Sequence, residues 1–237
     1  MNENLYPIES VIQFSQSRLG KKPARAYTTD AGIDFFVPTF TSTFIKDLIS
    51  KNEFLLERDG YSGATTVIQD NNLYLTTSSG TANRNCGCRG TQIDTIEKQI
   101  PENLNIVKFD AKAGLSYFEL HAHQRVLIPS GIYCKMQSDN RALIAANKSG
   151  VATKNGLIFG AQVVDSSYQG EIHISVINTS SVGVRIYEDM KIIQFVETPI
   201  YTSSLEFVDE VTDLYKAIKS ERGVGGFGSS DKKMLSE

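Results

Sequence analysis

Glu171-Ile-His-Ile-Ser-Val-Ile-Asn178 alternates apolar and polar side chains with period two, which puts Ile172, Ile174 and Val176 on one face of an extended strand. The segments around it carry the same signal. Val182-Gly-Val-Arg-Ile-Tyr187 and Lys191-Ile-Ile-Gln-Phe-Val196 are rich in β-branched residues. Upstream, Gln124-Arg-Val-Leu-Ile-Pro-Ser-Gly-Ile-Tyr-Cys-Lys-Met136 reads as two short apolar strands split by a Pro-Ser-Gly turn. Short strands punctuated by Gly, Asn, Asp and Ser predict an all-β chain, a sandwich or a jelly-roll barrel. No βαβ alternation is visible.

Composition bounds the rest. A chain of 237 residues, 41% hydrophobic, can close one sizeable core, or one core and a smaller module. With 24 Lys+Arg against 27 Asp+Glu, the net charge of −3 argues for no nucleic acid and no membrane surface as partner. Leu5 to Val11 is broken by Pro7 and Glu9 and has no basic lead, unlike a signal peptide. No window approaches the roughly 18 uncharged apolar residues of a membrane span. Three cysteines are too few for a disulfide framework, and a reducing cytoplasm is the simplest compartment (the host cytoplasm if the source is viral).

Two stretches depart from the β pattern. Residues 39–115 read as an insertion: Thr41 to Ser50 has apolar positions 44, 45, 48 and 49, an amphipathic helix, and the chain then becomes turn-rich through Ser78 to Gly90. Glu206 to Lys219 reads as a short helix in a C-terminal arm, 206–237, which ends in the glycine-rich Arg222-Gly-Val-Gly-Gly-Phe-Gly-Ser-Ser-Asp231.

Three segments have residues suited to chemistry. In the tail, glycines let backbone amides approach an anion, Arg222, Ser229 and Ser230 add donors, and Phe227 has a face for a planar base. Lys148-Ser149-Gly150 offers a cation, a hydroxyl and a flexible amide in a row, without the upstream glycines of a Walker loop. Val163 and Val164 lead to Asp165 at the mouth of a hairpin, Ser166-Ser167 turns, and Tyr168 begins the return strand; a carboxylate there can activate water. Each also has an ordinary reading: a disordered tail, a polar turn, a turn-forming Asp.

In order, these segments resemble the motif series of the trimeric dUTPases (deoxyuridine triphosphate nucleotidohydrolases). Ala31-Gly32-Ile33-Asp34 matches the first motif, Lys148-Ser-Gly-Val-Ala152 the second, and Gln162-Val-Val-Asp-Ser-Ser-Tyr-Gln-Gly-Glu171 the third. Asp189-Met-Lys-Ile-Ile-Gln194 is a weaker fourth, and Arg222 to Ser230 a nearly complete fifth. Lys148 stands where the family has Arg, Gln162 where it has Gly, Asn147 where it has Pro, and Asp189 where it has Gly.

The resemblance implies a jelly-roll-like β-clip core, 1–38 with 116–205, assembled as a homotrimer whose sites are shared between subunits. It implies hydrolysis of dUTP to dUMP and pyrophosphate, with Asp165 activating the attacking water. Gly160, Ala161, Gln162, Val163 and Val164 would read uracil, Tyr168 would wall the deoxyribose, and Phe227 would cover the base. Lys148, Ser149, Gly150, Gln194, Arg222, Gly228, Ser229 and Ser230 would hold phosphates. Mg2+ would ride on the triphosphate, with Asp34 acting through water.

Two rivals stand beside this reading. A dCTP deaminase shares the fold but needs a glutamate beside the pyrimidine. A regulatory protein would use the 39–115 insertion as a contact surface for a protein partner. Cys86, Cys88, His121 and His123 form a candidate zinc set of uncommon spacing; a turn, and a strand carrying the histidines, is the ordinary alternative. Cys134 reads as a buried strand residue, and His173 as a surface or interface residue opposite the apolar face.

Overall fold

The computed structural model describes residues 11–52, 54–57, 64–69, 72–78, 95–99, 106–216 and 220. Two strands, β1 (Ile12–Gln16) and β2 (Gly32–Phe36), precede helices α1 (Ser42–Lys51) and α2 (Phe54–Glu57). The sheet strands β3 (Ala64–Gln69), β4 (Asn72–Ser78) and β5 (Thr95–Gln99) follow. Then come β6 (Val107–Asp110), β7 (Leu115–Leu120), β8 (Arg125–Met136) and β9 (Arg141–Asn147). Helix α3 (Ser149–Asn155) leads into β10 (Leu157–Phe159), β11 (Val163–Asp165), β12 (Ile172–Asn178), β13 (Val184–Tyr187), β14 (Lys191–Pro199) and the single turn α4 (Val211–Leu214).

Every strand pairing is antiparallel among the described residues, in the orders β1-β8-β12-β10, β11-β9-β14-β2, β13-β7-β6 and β3-β4-β5. The fold is all-β. Strand β12 alternates buried and half-buried along its whole length, with Ile172, Ile174 and Val176 inward as the period predicts. Its partner across the core is sheet β11-β9-β14-β2, whose Phe35, Leu143, Ile193 and Phe195 join the same buried cluster. Phe14 of β1 meets Phe35 of β2 edge-on at 6.0 Å and fastens one sheet to the other, while Phe35 meets Phe195 of the neighbouring strand β14 at 4.6 Å within its own sheet.

The Pro-Ser-Gly turn expected at 129–131 is not a turn. β8 runs through it unbroken, and the ladder slips there: Ile172 faces Ile132, while His173 faces Pro129. The extra residues form a bulge, which admits a proline because no ladder donor is needed at that point. Gly131 takes φ +72, a left-handed value that glycine adopts without a Cβ penalty.

Helix α1 appears where the periodicity puts it, capped by the Thr41 hydroxyl, which accepts from the Phe44 amide at 3.2 Å. Its Phe44 and Leu48 are fully buried in the main cluster together with Leu55, and Phe40 stacks on Phe44 at 5.1 Å. Asn52 anchors it: the buried side chain donates to the Leu48 and Leu127 carbonyls and accepts from the Leu127 amide. The 39–115 stretch thus contributes α1 to the core and β6 to the β13-β7-β6 sheet.

Three further expectations change. His121 and His123 do not lie in a strand: they sit in the turn between β7 and β8, with His123 at φ 62. Cys134 is half-buried rather than buried. The chain divides into units 1–200 and 201–237; in the second, among the described residues of the helix expected over 206–219, only Val211–Leu214 is helical, with Val208, Val211 and Leu214 exposed. An apolar face without anything to cover it gives a short helix little support.

Candidate active site

The first four sequence motifs gather in two places around sheet β11-β9-β14-β2. At one end, Gln194 of β14 lies opposite Asp34 of β2 and Ala146 of β9, so the first, second and fourth motifs converge by strand register. Asp34 is nearly buried, with 5% of its side chain exposed, and its carboxylate accepts from the Lys148 ammonium and, at 3.2 Å, from that of Lys191. The Gln194 amide donates to the Asn147 carbonyl at 3.0 Å. Its oxygen fills the space a side chain at Gly32 would need, which explains a glycine in the first motif. Asn147, where the family has proline, accepts from the Phe159 amide at 2.9 Å and ties β9 to β10.

Lys148 is the N-cap of α3, in extended conformation and without a side-chain cap. The first intrahelical bond runs from the Ala152 amide to the Lys148 carbonyl, so the Ser149, Gly150 and Val151 amides point out of the helix start, a geometry that suits phosphate oxygens. A Cβ on Gly150 would meet open space among the described residues.

At the other end of β9 lies a cavity of about 170 Å³, lined by Ala161 to Asp165, Tyr168, Glu171, Ile172, His173 and Phe195. The third motif is not the hairpin expected from sequence. β10 pairs with β12 in one sheet and β11 with β9 in the other, so Gly160 to Gln162 crosses between sheets. Gln162 follows that crossing by accepting from the Ala145 amide at 2.7 Å. Gly160 packs so tightly that a Cβ would stand 2.6 Å from the Ser175 hydroxyl. Asp165 is exposed at the end of β11. Tyr168 begins no strand: it closes the Asp165 turn, lies over Gly170, and donates to the Glu171 carbonyl at 2.9 Å.

Glu171 and His173 line this cavity, which sequence reading did not anticipate for either. Glu171 is held by Arg18 through its Nε, at 3.2 Å, and by the Gly131 amide at 2.6 Å. Burial acts to raise the Glu171 carboxyl, but these hydrogen bonds outweigh it and hold it below the usual carboxylate range. His173 Nδ1 is 2.9 Å from the Glu171 carbonyl, leaving a buried Nε2 without a partner among the described residues. Lys191 had a sequence signal, as the base kept in the fourth motif; Arg18 had none.

Arg222, Phe227, Gly228, Ser229 and Ser230 lie outside the described residues, as do Cys86 and Cys88. Among the described residues no group of three or more His, Cys, Asp or Glu side chains is set to hold a metal, and no helix is long and apolar enough to cross a membrane.

Comparison with known proteins agrees with the family resemblance. The family described as dUTPase matches residues 107–231, just over half of the chain. A deoxyuridine 5'-triphosphate nucleotidohydrolase of Legionella pneumophila (strain Paris) is 32% identical over 152 residues, covering 60% of this chain and 96% of the relative. A protein of the same name from Glaesserella parasuis is 34% identical over 115 residues, covering 48% and 72%. Among solved structures, a dUTPase of Staphylococcus bacteriophage 80alpha with dUpNHpp is similar with TM-score 0.53 at 17% identity, over 93% of this chain and 98% of that one. A second structure of that phage enzyme gives TM-score 0.52 at 17% identity, over 92% and 97%. These two likenesses concern the fold alone. The chain belongs to the dUTPase family of nucleotide-hydrolysing enzymes.

Proposed function

We propose that this chain hydrolyses dUTP to dUMP and pyrophosphate in sites built between the subunits of a homotrimer. The observation that carries the shared site is a separation. Asp165 stands opposite Ala142 of β9, six positions before Lys148, which directly follows the end of that strand. At about 3.3 Å per residue that is on the order of 20 Å. A general base and the groups holding the same phosphate must lie within hydrogen-bond reach of one reacting centre. One chain therefore supplies two half-sites, and a closed ring of copies joins them.

In the complete site, the 170 Å³ cavity takes the deoxyuridine. Backbone groups of Gly160 to Val164 pair with the uracil edge, and Tyr168 leaves no room for a 2′-hydroxyl. Cytosine would leave buried polar groups unpaired there. Lys148, the Ser149 hydroxyl and the Gly150 amide hold phosphate oxygens, and Gln194 orients the α-phosphate. Asp165 takes the proton of a water as its oxygen attacks the α-phosphorus, and pyrophosphate leaves. Phe227 covers the base while Arg222, Gly228, Ser229 and Ser230 close over the phosphates.

Asp34 is the carboxylate of the phosphate half-site, and both its oxygens are already taken by lysines. That does not suit direct metal ligation. It does suit an Mg2+ carried by the triphosphate and touching Asp34 through water. When bound, the ion would offset phosphate charge in the transition state.

The deaminase alternative would need Glu171, the glutamate of the cavity, as a proton carrier. Its carboxylate is instead occupied by Arg18 and the Gly131 amide, which favours hydrolysis. We place the enzyme in the cytoplasm, with residues 1–38 and 116–205 as the catalytic core and 206–237 as the closing arm. Part of the 39–115 insertion is left to contact a protein partner.

The test is complementation. Asp165→Asn and Gln194→Ala are each expected to lose at least about 100-fold in turnover. Subunits mixed by co-refolding should then regain activity, since about a quarter of randomly assembled sites draw both intact halves. No regain in mixed oligomers would mean that each chain holds a whole site.

A further inference from the structure

Arg18 follows β1 and belongs to none of the motifs, yet it joins three distant segments. Its Nε donates to Glu171 Oε1 at 3.2 Å, and its Nη2 donates to Glu171 Oε2 at 3.4 Å and to Asp47 Oδ2 at 2.7 Å. Its stem lies on the bulge of β8: a Cβ added to Gly131 would stand 2.5 Å from Arg18 Cγ. The Gly131 amide in turn donates to Glu171 Oε1 at 2.6 Å. Arg18 and Glu171 are each 14% exposed and Asp47 28%, so water screens this network little.

Each end of the network bears on something specific. Glu171 lines the cavity, and its carbonyl accepts the Tyr168 hydroxyl that fixes the ring. Asp47 sits on α1, in the inserted stretch, whose Phe44 and Leu48 are locked into the core. A planar guanidinium fork can hold two carboxylates at fixed angles, which a lysine cannot do.

We propose that Arg18 is a positioning residue for the deoxynucleoside pocket, braced by Asp47 of the inserted helix. The inference rests on the assignment of the 161–173 cavity as the deoxyuridine site. Arg18 and Asp47 set the place of Glu171, and Glu171 sets the angle at which Tyr168 meets the sugar. The insertion thereby takes part in choosing deoxyribose over ribose, although it carries no motif residue.

The test measures kcat and KM for dUTP and for UTP, with melting temperature alongside, in the full-length enzyme. Arg18→Lys keeps the charge and loses the fork. It is expected to raise KM for dUTP and to lower the dUTP-over-UTP preference, each by about tenfold, while saturated turnover stays near wild type. Asp47→Asn should move both in the same direction by about threefold, and the double variant should fall short of the product, as coupled groups do. Ile186→Ala, a buried residue of β13 far from the network in sequence, controls for lost stability; it should lower the melting temperature and leave the preference unchanged. Tyr168→Ala reports on the pocket itself. If it shifts the preference while folded Arg18→Lys and Asp47→Asn do not, the positioning role is wrong and the pocket stands. If Tyr168→Ala leaves the preference unchanged, the pocket assignment falls and the inference with it.

Discussion

Asp34 and Lys148 lie 114 residues apart in the chain and meet as a nearly buried ion pair, with Lys191 as a third member. The trio joins the first, second and fourth motifs into one charged unit. Lysine at 148 keeps the charge of the family's arginine as a single point, and Asp34 aims it.

Asp34→Asn should therefore do more than remove a carboxylate. Two ammonium groups would lose their counter-charge and face one neutral amide oxygen and one NH2 donor, and one of them is only 23% exposed. The expected cost is about 2–3 kcal/mol, below the full range for a buried pair because Lys191 is half exposed. Urea unfolding measures it, and a change under about 0.5 kcal/mol would mean that solvent already satisfies both lysines.

Gly32→Ala should act on Gln194. A Cβ there collides with the amide of that side chain, which is flexible enough to swing away. Stability should then change little, whereas the amide leaves the Asn147 carbonyl and turnover drops about tenfold. A variant that is fully active would show that Gln194 does not need its observed position.

Acid should weaken the fold through Glu171. Its folded value lies below the ordinary 4.5, so its contribution is complete above that pH and is lost as the pH falls through the depressed folded value. Asp110, lowered by the Tyr187 hydroxyl and nearby amides, acts in the same direction. Unfolding free energy measured from about pH 7 to pH 3 should decline for wild type, and less steeply for Glu171→Gln. Equal slopes would show that the Arg18 network does not link to acid stability.

Removing residues 222–237 should leave a folded protein that still binds dUTP but turns it over at least about tenfold more slowly. The segment carries four of the glycines around one phenylalanine and no apolar run, so it adds little to a core. Calorimetric binding with single-turnover rates would separate the two effects, and undiminished turnover would end the closing role of Phe227 and Arg222.

What could be read along the chain was what neighbours in sequence decide. The alternation of residues 171–178 requires an extended strand with Ile172, Ile174 and Val176 on one side, wherever that strand pairs, and the 44, 45, 48, 49 spacing requires α1. The motif residues were legible because their chemistry is local to each segment. Pairing is not local. Pro129-Ser130-Gly131 has the composition of a turn and became a bulge because β12 and β1 hold β8 on either side of it. Residues 163–171 read as a hairpin turning at Ser166-Ser167; instead β11 pairs with β9 in one sheet while the following strand, β12, pairs with β8 and β10 in the other. Only that tertiary arrangement places Asp165 far from Lys148, joins Lys191 to Asp34, and brings Arg18 between Asp47 and Glu171. A charged side chain takes its role from whichever partner the packed chain delivers within hydrogen-bond distance, and no spacing along the sequence records it.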